Sequence, residues 1–437
     1  MTSTEWLDST RTIGRSKKCY AHFDWRTDIS QQKQYISNPA GVAKHGFYPL
    51  IHYIKSTVKY KKGEGKRPKN RDICYAAHID RCIYQYYSFL LNEQYNIRVR
   101  DDGISESAVA YRTDLGENTI HFSKRVFDFI KENISAYIMI GDFTGFFDNL
   151  DHEYLKQQWC SLLGTDRLPP DHFAVYKNIT AYSTIELSDL LRLNNLENTK
   201  TGRKKLNGMA RVLTPNQFKE NRSLIKKHTE PYGIPQGSPI SGILANVYML
   251  AVDKLVNDAA RDLNGIYIRY SDDFMVVLPD NAENDVSESL KKIAGMYKQV
   301  PGLKLEESKT QFFYFESGKL TNCSKAFCEN ADDSKRAINF LGFTFDGQTV
   351  RIRSKTVSKY YYRTYRKARN IVKMSRYTPN GKKISCKNLY MVYSRKGSKK
   401  GNGNFLTYVD RASAEYGSKE PIKQDTKRHM QKIRRVL

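Results

Sequence analysis

The 437-residue sequence contains no run of about eighteen apolar residues, which leaves no candidate for a membrane-crossing helix. Its N-terminus, Met1-Thr-Ser-Thr-Glu-Trp6, lacks the apolar core of a secretion signal, so a cytosolic protein is expected. Cysteine is sparse: seven residues, an odd number at irregular spacing, fit reduced thiols rather than a disulfide framework. Cys323 and Cys328 are the one close pair, and no second Cys or His pair stands at zinc-finger spacing from them. Carboxylates are in deficit too. Against 72 Lys and Arg there are 46 Asp and Glu, and the net charge of +26 implies a polyanionic partner. The 12% aromatic and 40% hydrophobic residues suffice for a sizeable core over two or three subdomains.

Two adjacent carboxylates, in Tyr270-Ser-Asp-Asp273, carry the most information in what is present. Their flanks, Gly265–Tyr270 and Phe274–Leu278, are β-branched or aromatic and are bounded by Asn264-Gly265 and Pro279, which predicts strand, turn, strand. Side-by-side like charges are tolerated where water solvates them or a cation sits between them. In isolation such a tetrapeptide is an ordinary solvated turn. A third carboxylate, Asp142, ends the apolar run Ala136–Gly141 and is followed by Phe143-Thr-Gly-Phe-Phe147. Carboxylates with no His or Cys nearby favour Mg²⁺. Asp151 reads as the cap of a helix from His152, with Leu155, Trp159 and Leu162 as its buried stripe. Between the acidic segments lies Gly233-Ile-Pro-Gln-Gly-Ser-Pro-Ile-Ser-Gly242, a loop expected to enter a helix at Pro239 whose buried stripe is Ile240, Leu244, Val247, Ala251 and Leu255.

In this order the segments resemble the reverse transcriptase palm: Asp142 and its phenylalanines, the Pro-Gln-Gly-Ser-Pro loop, then Tyr-Ser-Asp-Asp. Gly302-Leu-Lys-Leu-Glu-Glu-Ser-Lys-Thr310 resembles the family's next motif and Asn339-Phe-Leu-Gly-Phe343 its primer-grip hairpin. Upstream, Lys66–Ile73 and His78–Tyr84 resemble the fingers of bacterial members. The resemblance implies an α+β, right-hand polymerase fold with fingers, a palm of antiparallel sheet plus helices, and a basic helical thumb. The expected division is an N-terminal extension at 1–65 packing on the fingers, fingers at 66–135, palm at 136–345 and thumb at 346–437. A surface-exposed insertion able to bind RNA is expected near 164–232.

The same resemblance implies an RNA-templated DNA polymerase that works with two Mg²⁺ ions on dNTP substrates. Asp142, Asp272 and Asp273, with the Phe143 carbonyl, would hold the metals, and Lys309 would protonate the leaving pyrophosphate. Arg71, with Lys69 or Arg67 as alternates, would grip the triphosphate. Phe147 would crowd the sugar 2′ position, and Gln236 and Gly237 would line the nucleotide site. Phe340, Leu341 and Gly342 would touch the primer. Because 94 residues follow Phe343, the expectation is room for a thumb and none for an appended nuclease or integrase. That leaves a likeness to stand-alone bacterial enzymes of the unknown-group, defence-associated kind, with the type 2 defence-associated reverse transcriptase as the subtype. Such enzymes copy a structured partner noncoding RNA into cDNA in antiviral defence. Two other classes use the same residues: a template-independent or protein-primed terminal transferase, and a noncatalytic RNA-binding scaffold.

The charge surplus is concentrated. Residues 351–437 hold 25 Lys and Arg against 4 Asp and Glu, with nine tyrosines interleaved, among them Tyr360, Tyr361, Tyr362, Tyr365 and Tyr377. That pattern suits phosphate neutralisation with stacking on bases or sugars. Lys359 to Met374 is expected to be helical, presenting Lys359, Arg363, Arg366 and Lys367 on one face toward nucleic acid.

Overall fold

The computed structural model describes residues 1–61, 65–280, 285–328, 331–374, 385–401 and 403–437; Tyr377 lies outside them. The chain folds as two units built from interleaved segments. The first comprises 1–112, 143–256 and 295–305; the second comprises 113–142, 257–294 and 306–437. These limits do not follow the expected boundaries at 65, 135 and 345.

In the second unit five strands form an antiparallel sheet in the order Lys319–Asn322, Gln311–Glu316, Ser135–Asp142, Asp273–Pro279, Ile266–Tyr270. The Phe274–Leu278 run is buried throughout, as continuous apolar strands are when both faces are covered. Gly141 is required for this packing, because a Cβ there would enter the Phe274 ring. A second antiparallel sheet follows: Ile338–Phe340, Phe343–Phe345 and Val350–Ile352. Its first turn, Leu341-Gly342, has φ of 45° and 94°, the two positive values of a type I′ hairpin, and at leucine this is strained.

Beyond that sheet lies the helix Ser354–Lys373, starting five residues earlier than expected. It buries Val357, Tyr360, Tyr361, Thr364, Ala368 and Ile371. Tyr360 and Tyr361, expected to stack on nucleic acid, are therefore core residues: their hydroxyls donate to Tyr393 O (2.5 Å) and Asp425 O (2.7 Å). Tyr362 stays 63% exposed. Gly397 and Ser398 end the short helix Arg395–Ser398.

The first unit holds a four-stranded sheet in the order Asp72–Tyr75, Leu50–Ile54, Ser183–Glu186, Lys226–Lys227. The expectation of an exposed insertion near 164–232 does not describe this segment. It supplies two of those strands and much of a core in which Ile185, Leu187, Leu190, Leu191 and Leu206 pack with Ala21, Phe23 and Ile51. Its apolar residues are divided among short elements, so no single long periodic run announces them. The N-terminal residues join the same core, and Asp80, at the start of the helix His78–Asp101, accepts from the Tyr48 N–H (2.9 Å) and pairs with His45 Nε2 (2.8 Å).

Asp151 caps the helix His152–Leu163 by accepting from the Tyr154 N–H at 2.8 Å, and Leu155, Trp159 and Leu162 are buried. The helix after the glycine loop runs Ser241–Arg261, two residues later than expected. Its Ser241 hydroxyl instead donates to Pro235 O (2.8 Å), fastening the loop. Leu255 is 54% exposed and Ala251 is exposed, so the buried stripe runs through Ile243, Leu244, Val247, Tyr248 and Val252.

Candidate active site

Asp142 ends its strand opposite Asp273, the first residue of the neighbouring strand. Tyr270 pairs with Asp273, so Ser271 and Asp272 form a two-residue loop with φ of +62° at Ser271. A non-glycine residue in that region stores of order 1–3 kcal/mol of strain, held only where surrounding structure fixes it. Part of that support is Arg269, fully buried, whose Nη1 donates to Ser271 O at 3.0 Å. A lone arginine within Ile266-Tyr-Ile-Arg-Tyr270 was the available signal for this prop.

The three carboxylates are electrostatically crowded. Asp273 is reached by solvent, yet the surrounding protein, then the charges of Asp272 and Asp142, push its pKa up to about 6. Asp272 is raised as well, by burial and by Asp142. Lys309 places its Nζ 2.8 Å from Asp142 Oδ2 and 3.6 Å from Glu306 Oε2. Burial opposes the Lys309 charge, but the Asp142 contact outweighs it and the pKa rises, keeping the ammonium protonated. Arg353 adds positive potential at Asp273 and donates its backbone N–H to Gly342 O (2.9 Å). Nothing in the sequence pattern singled out that arginine.

Among the described residues no three His, Cys, Asp or Glu side chains close around a common point as a metal cage. The donor chemistry nonetheless fits divalent cations: oxygen-only ligands whose mutual repulsion already disfavours ionisation.

Several further candidates belong to the first unit. Phe143 is buried, stacked on Phe146 (5.6 Å between ring centres) and edge-on to Tyr297 (5.3 Å). Phe146 is buried while Phe147 is only half-buried, and the Phe147 carbonyl accepts from the Ile234 N–H (2.9 Å), tying it to the glycine loop. Gln236 Nε2 donates to Asp148 Oδ1 (3.3 Å), and the Gln236 backbone carbonyl accepts from the Cys74 N–H (2.8 Å). Gly237 has φ of +112°, and a Cβ there would lie 2.5 Å from Cys74 O, so only glycine lets the loop pass that strand. Lys69 ends the strand Gly65–Lys69 of a hairpin, and Arg71 pairs by backbone with Lys55; both side chains are exposed, as is Arg67. In the second unit, Phe340 is buried while Leu341 and Gly342 form the turn described above. Lys359, Arg363 and Arg366 are exposed on the basic helix and Lys367 is half-exposed.

Residues 176–345 match the family model "Reverse transcriptase (RNA-dependent DNA polymerase)". The matched stretch contains the glycine loop, Asp272, Asp273 and Lys309, with Asp142 N-terminal to it. A domain of that family indicates an RNA-directed DNA polymerase, a nucleotidyltransferase, with the mixed helix-and-sheet right-hand polymerase fold. Solved structures similar to this chain include apo telomerase from Candida Tropicalis truncated from its C-terminal domain, at 14% identity and a TM-score of 0.42 over 75% of this chain and 60% of that one. Telomerase from Candida albicans, in complex with a TWJ fragment of telomeric RNA, has 13% identity and a TM-score of 0.39 over 93% of this chain and 65% of that one. The chain thus spans 60 to 65% of the length of those relatives. No curated protein matches it.

Proposed function

We propose that this chain copies an RNA template into DNA, with Asp142, Asp272 and Asp273 as the metal-binding carboxylates. The observation that carries this reading is the enforced proximity of Asp142 and Asp273 across one ladder, with Asp272 beside them and ionisation already opposed by their repulsion. Two Mg²⁺ held there, with help from the Phe143 carbonyl, would lower the pKa of a primer 3′-hydroxyl and neutralise an incoming triphosphate.

The protein's own groups do the rest. Lys309, kept protonated by Asp142, has a proton to give to departing pyrophosphate. The partly exposed Phe147 ring shapes the space beside the sugar, and exposed Arg71 and Lys69 grip phosphates. Gln236, anchored at both ends, fixes the loop that seats the nucleotide. The Leu341-Gly342 turn, beside the buried Phe340, supports the primer strand, and Lys359, Arg363, Arg366 and Lys367 neutralise the template–primer backbone. The likeness to stand-alone bacterial enzymes supports a structured noncoding RNA as template, cDNA as product, and a role in antiviral defence in the cytosol.

The test replaces Asp272 and Asp273 together with Ala. Primer extension on RNA with Mg²⁺ should fall by more than about 10³-fold while RNA affinity changes little. Extension by the double variant at near wild-type rate removes the carboxylates from the chemistry. Homopolymer synthesis by the wild type without template would mark a terminal transferase instead.

A further inference from the structure

Outside the carboxylate cluster, buried polar atoms without partners gather where the N-terminal segment meets the helix His78–Asp101. His22 Nδ1, Asp24 Oδ1, His78 Nδ1 and Arg81 Nε are all shielded and unmatched within the protein. Such a group costs about 1–3 kcal/mol, more when charged, unless water or a ligand meets it. Arg81 is the informative member. It is 5% exposed, donates Nη1 to Gln85 Oε1 (3.1 Å) and Nη2 to Thr27 O (3.4 Å), and keeps Nε open.

Arg81 lines a cavity of about 500 Å³ together with Arg15, Lys18, Tyr20, Tyr75 and Gly237. Arg15 and Lys18 are exposed, and no carboxylate pairs with either among the described residues. No carboxylate is among the residues that line this cavity, so Arg15, Lys18 and Arg81 meet there without an acid between them. A second cavity, of about 390 Å³, shares Tyr20, Tyr75 and Gly237 and adds Tyr53, Arg203 and Asn207. The two cavities therefore adjoin along the Tyr20–Tyr75 pair, whose rings meet edge-on at 5.0 Å. Cations lie on one side, aromatic rings in the middle and a further arginine beyond, all beside the glycine loop. Free phosphate would need only the first cavity; a strand uses both, because its phosphates and bases alternate.

We propose that these adjoining cavities seat single-stranded template RNA: Arg15, Lys18 and Arg81 hold one backbone phosphate, and the neighbouring base lies against Tyr75 and Tyr53, with Arg203 beyond. This assigns the N-terminal segment a direct role in template handling, and it rests on the polymerase reading above.

The experiment uses the full chain with R15E/K18E, whose exposed positions spare the fold, and with R81K, which keeps charge but loses the open Nε. Extension is compared on primer–template RNAs with a single-nucleotide 5′ overhang and with an overhang of about eight nucleotides. On the long overhang both variants should raise KM for template by at least about tenfold with kcat nearly unchanged, and on the short overhang both should match wild type. Wild-type KM on the long overhang, or equal impairment on both templates, overturns the proposal. Wild-type protein extending neither template would defeat the polymerase reading instead. Binding of single-stranded RNA across a salt series then decides the site separately: weaker binding with a shallower slope in R15E/K18E supports it, identical curves overturn it. Displacement of RNA by equimolar inorganic phosphate also overturns it, by assigning the site to a free anion.

Discussion

At the scale of residues, Asp273 holds its proton more tightly in the folded protein than in the unfolded chain, because its pKa is raised to about 6 from the ordinary value near 4. The folded state therefore binds more protons between about pH 4 and 6, and stability declines as pH rises through that window. Above it the penalty is complete; discounted for solvent access, it is about 1 kcal/mol. Asp273→Asn should accordingly raise the melting temperature of metal-free protein at pH 7.5 and abolish the further rise that Mg²⁺ gives wild type, both readable by calorimetry. A lower melting temperature in the variant would mean that the carboxylate is not strained. Phe147→Ala should increase ribonucleotide incorporation relative to deoxyribonucleotide about tenfold or more, measured by single-nucleotide extension; unchanged discrimination places the gate elsewhere. The sequence offered the three aspartates, Phe147 and Gln236 of the proposed site as candidates because their motifs are local and ordered. Arg353 could not be picked out, since it reaches Asp273 and the Gly342 carbonyl only once the chain has folded.

At the scale of elements, the helix Ser354–Lys373 separates its functions by face: Val357, Tyr360, Tyr361, Thr364, Ala368 and Ile371 inward, Lys359, Arg363 and Arg366 outward. Reversing charge at Lys359, Arg363, Arg366 and Lys367 should weaken RNA binding and flatten its dependence on log salt by about 0.7 to 0.9 for each phosphate no longer neutralised. Melting temperature should hardly move, because the inward face is untouched. An unchanged slope would take the helix out of RNA binding. The helix His152–Leu163 and the Tyr270–Asp273 hairpin were legible because cap, stripe and turn residues agree locally. Residues 164–232 were not, since Ile185 and Leu206 acquire an apolar setting only against Ala21, Phe23 and Ile51.

At the scale of the molecule, the order of motifs was readable in the sequence, but the interleaving of the two units was not, because it depends on which distant segments pack together. The short segment 295–305 shows what is at stake. Tyr297 packs on Phe143, Lys304 O accepts from the Thr144 N–H (2.9 Å), and Pro301 O accepts from the Tyr248 hydroxyl. A chain ended after Val256 loses all three, so it should melt without a cooperative transition in circular dichroism, while the full chain melts cooperatively. Cooperative melting of the shorter chain would show the segment to be dispensable.

The same interleaving governs how the protein is made. Because its final segment ends at residue 305, the first unit remains incomplete when residue 112 leaves the ribosome and stays so for the next 193 residues. At ordinary rates of translation that interval lasts roughly 10–40 s. Once made, Phe143 and Tyr248 wait for partners not yet synthesised, and nascent chains should depend on chaperones for longer than one of equal length whose domains follow one another in sequence.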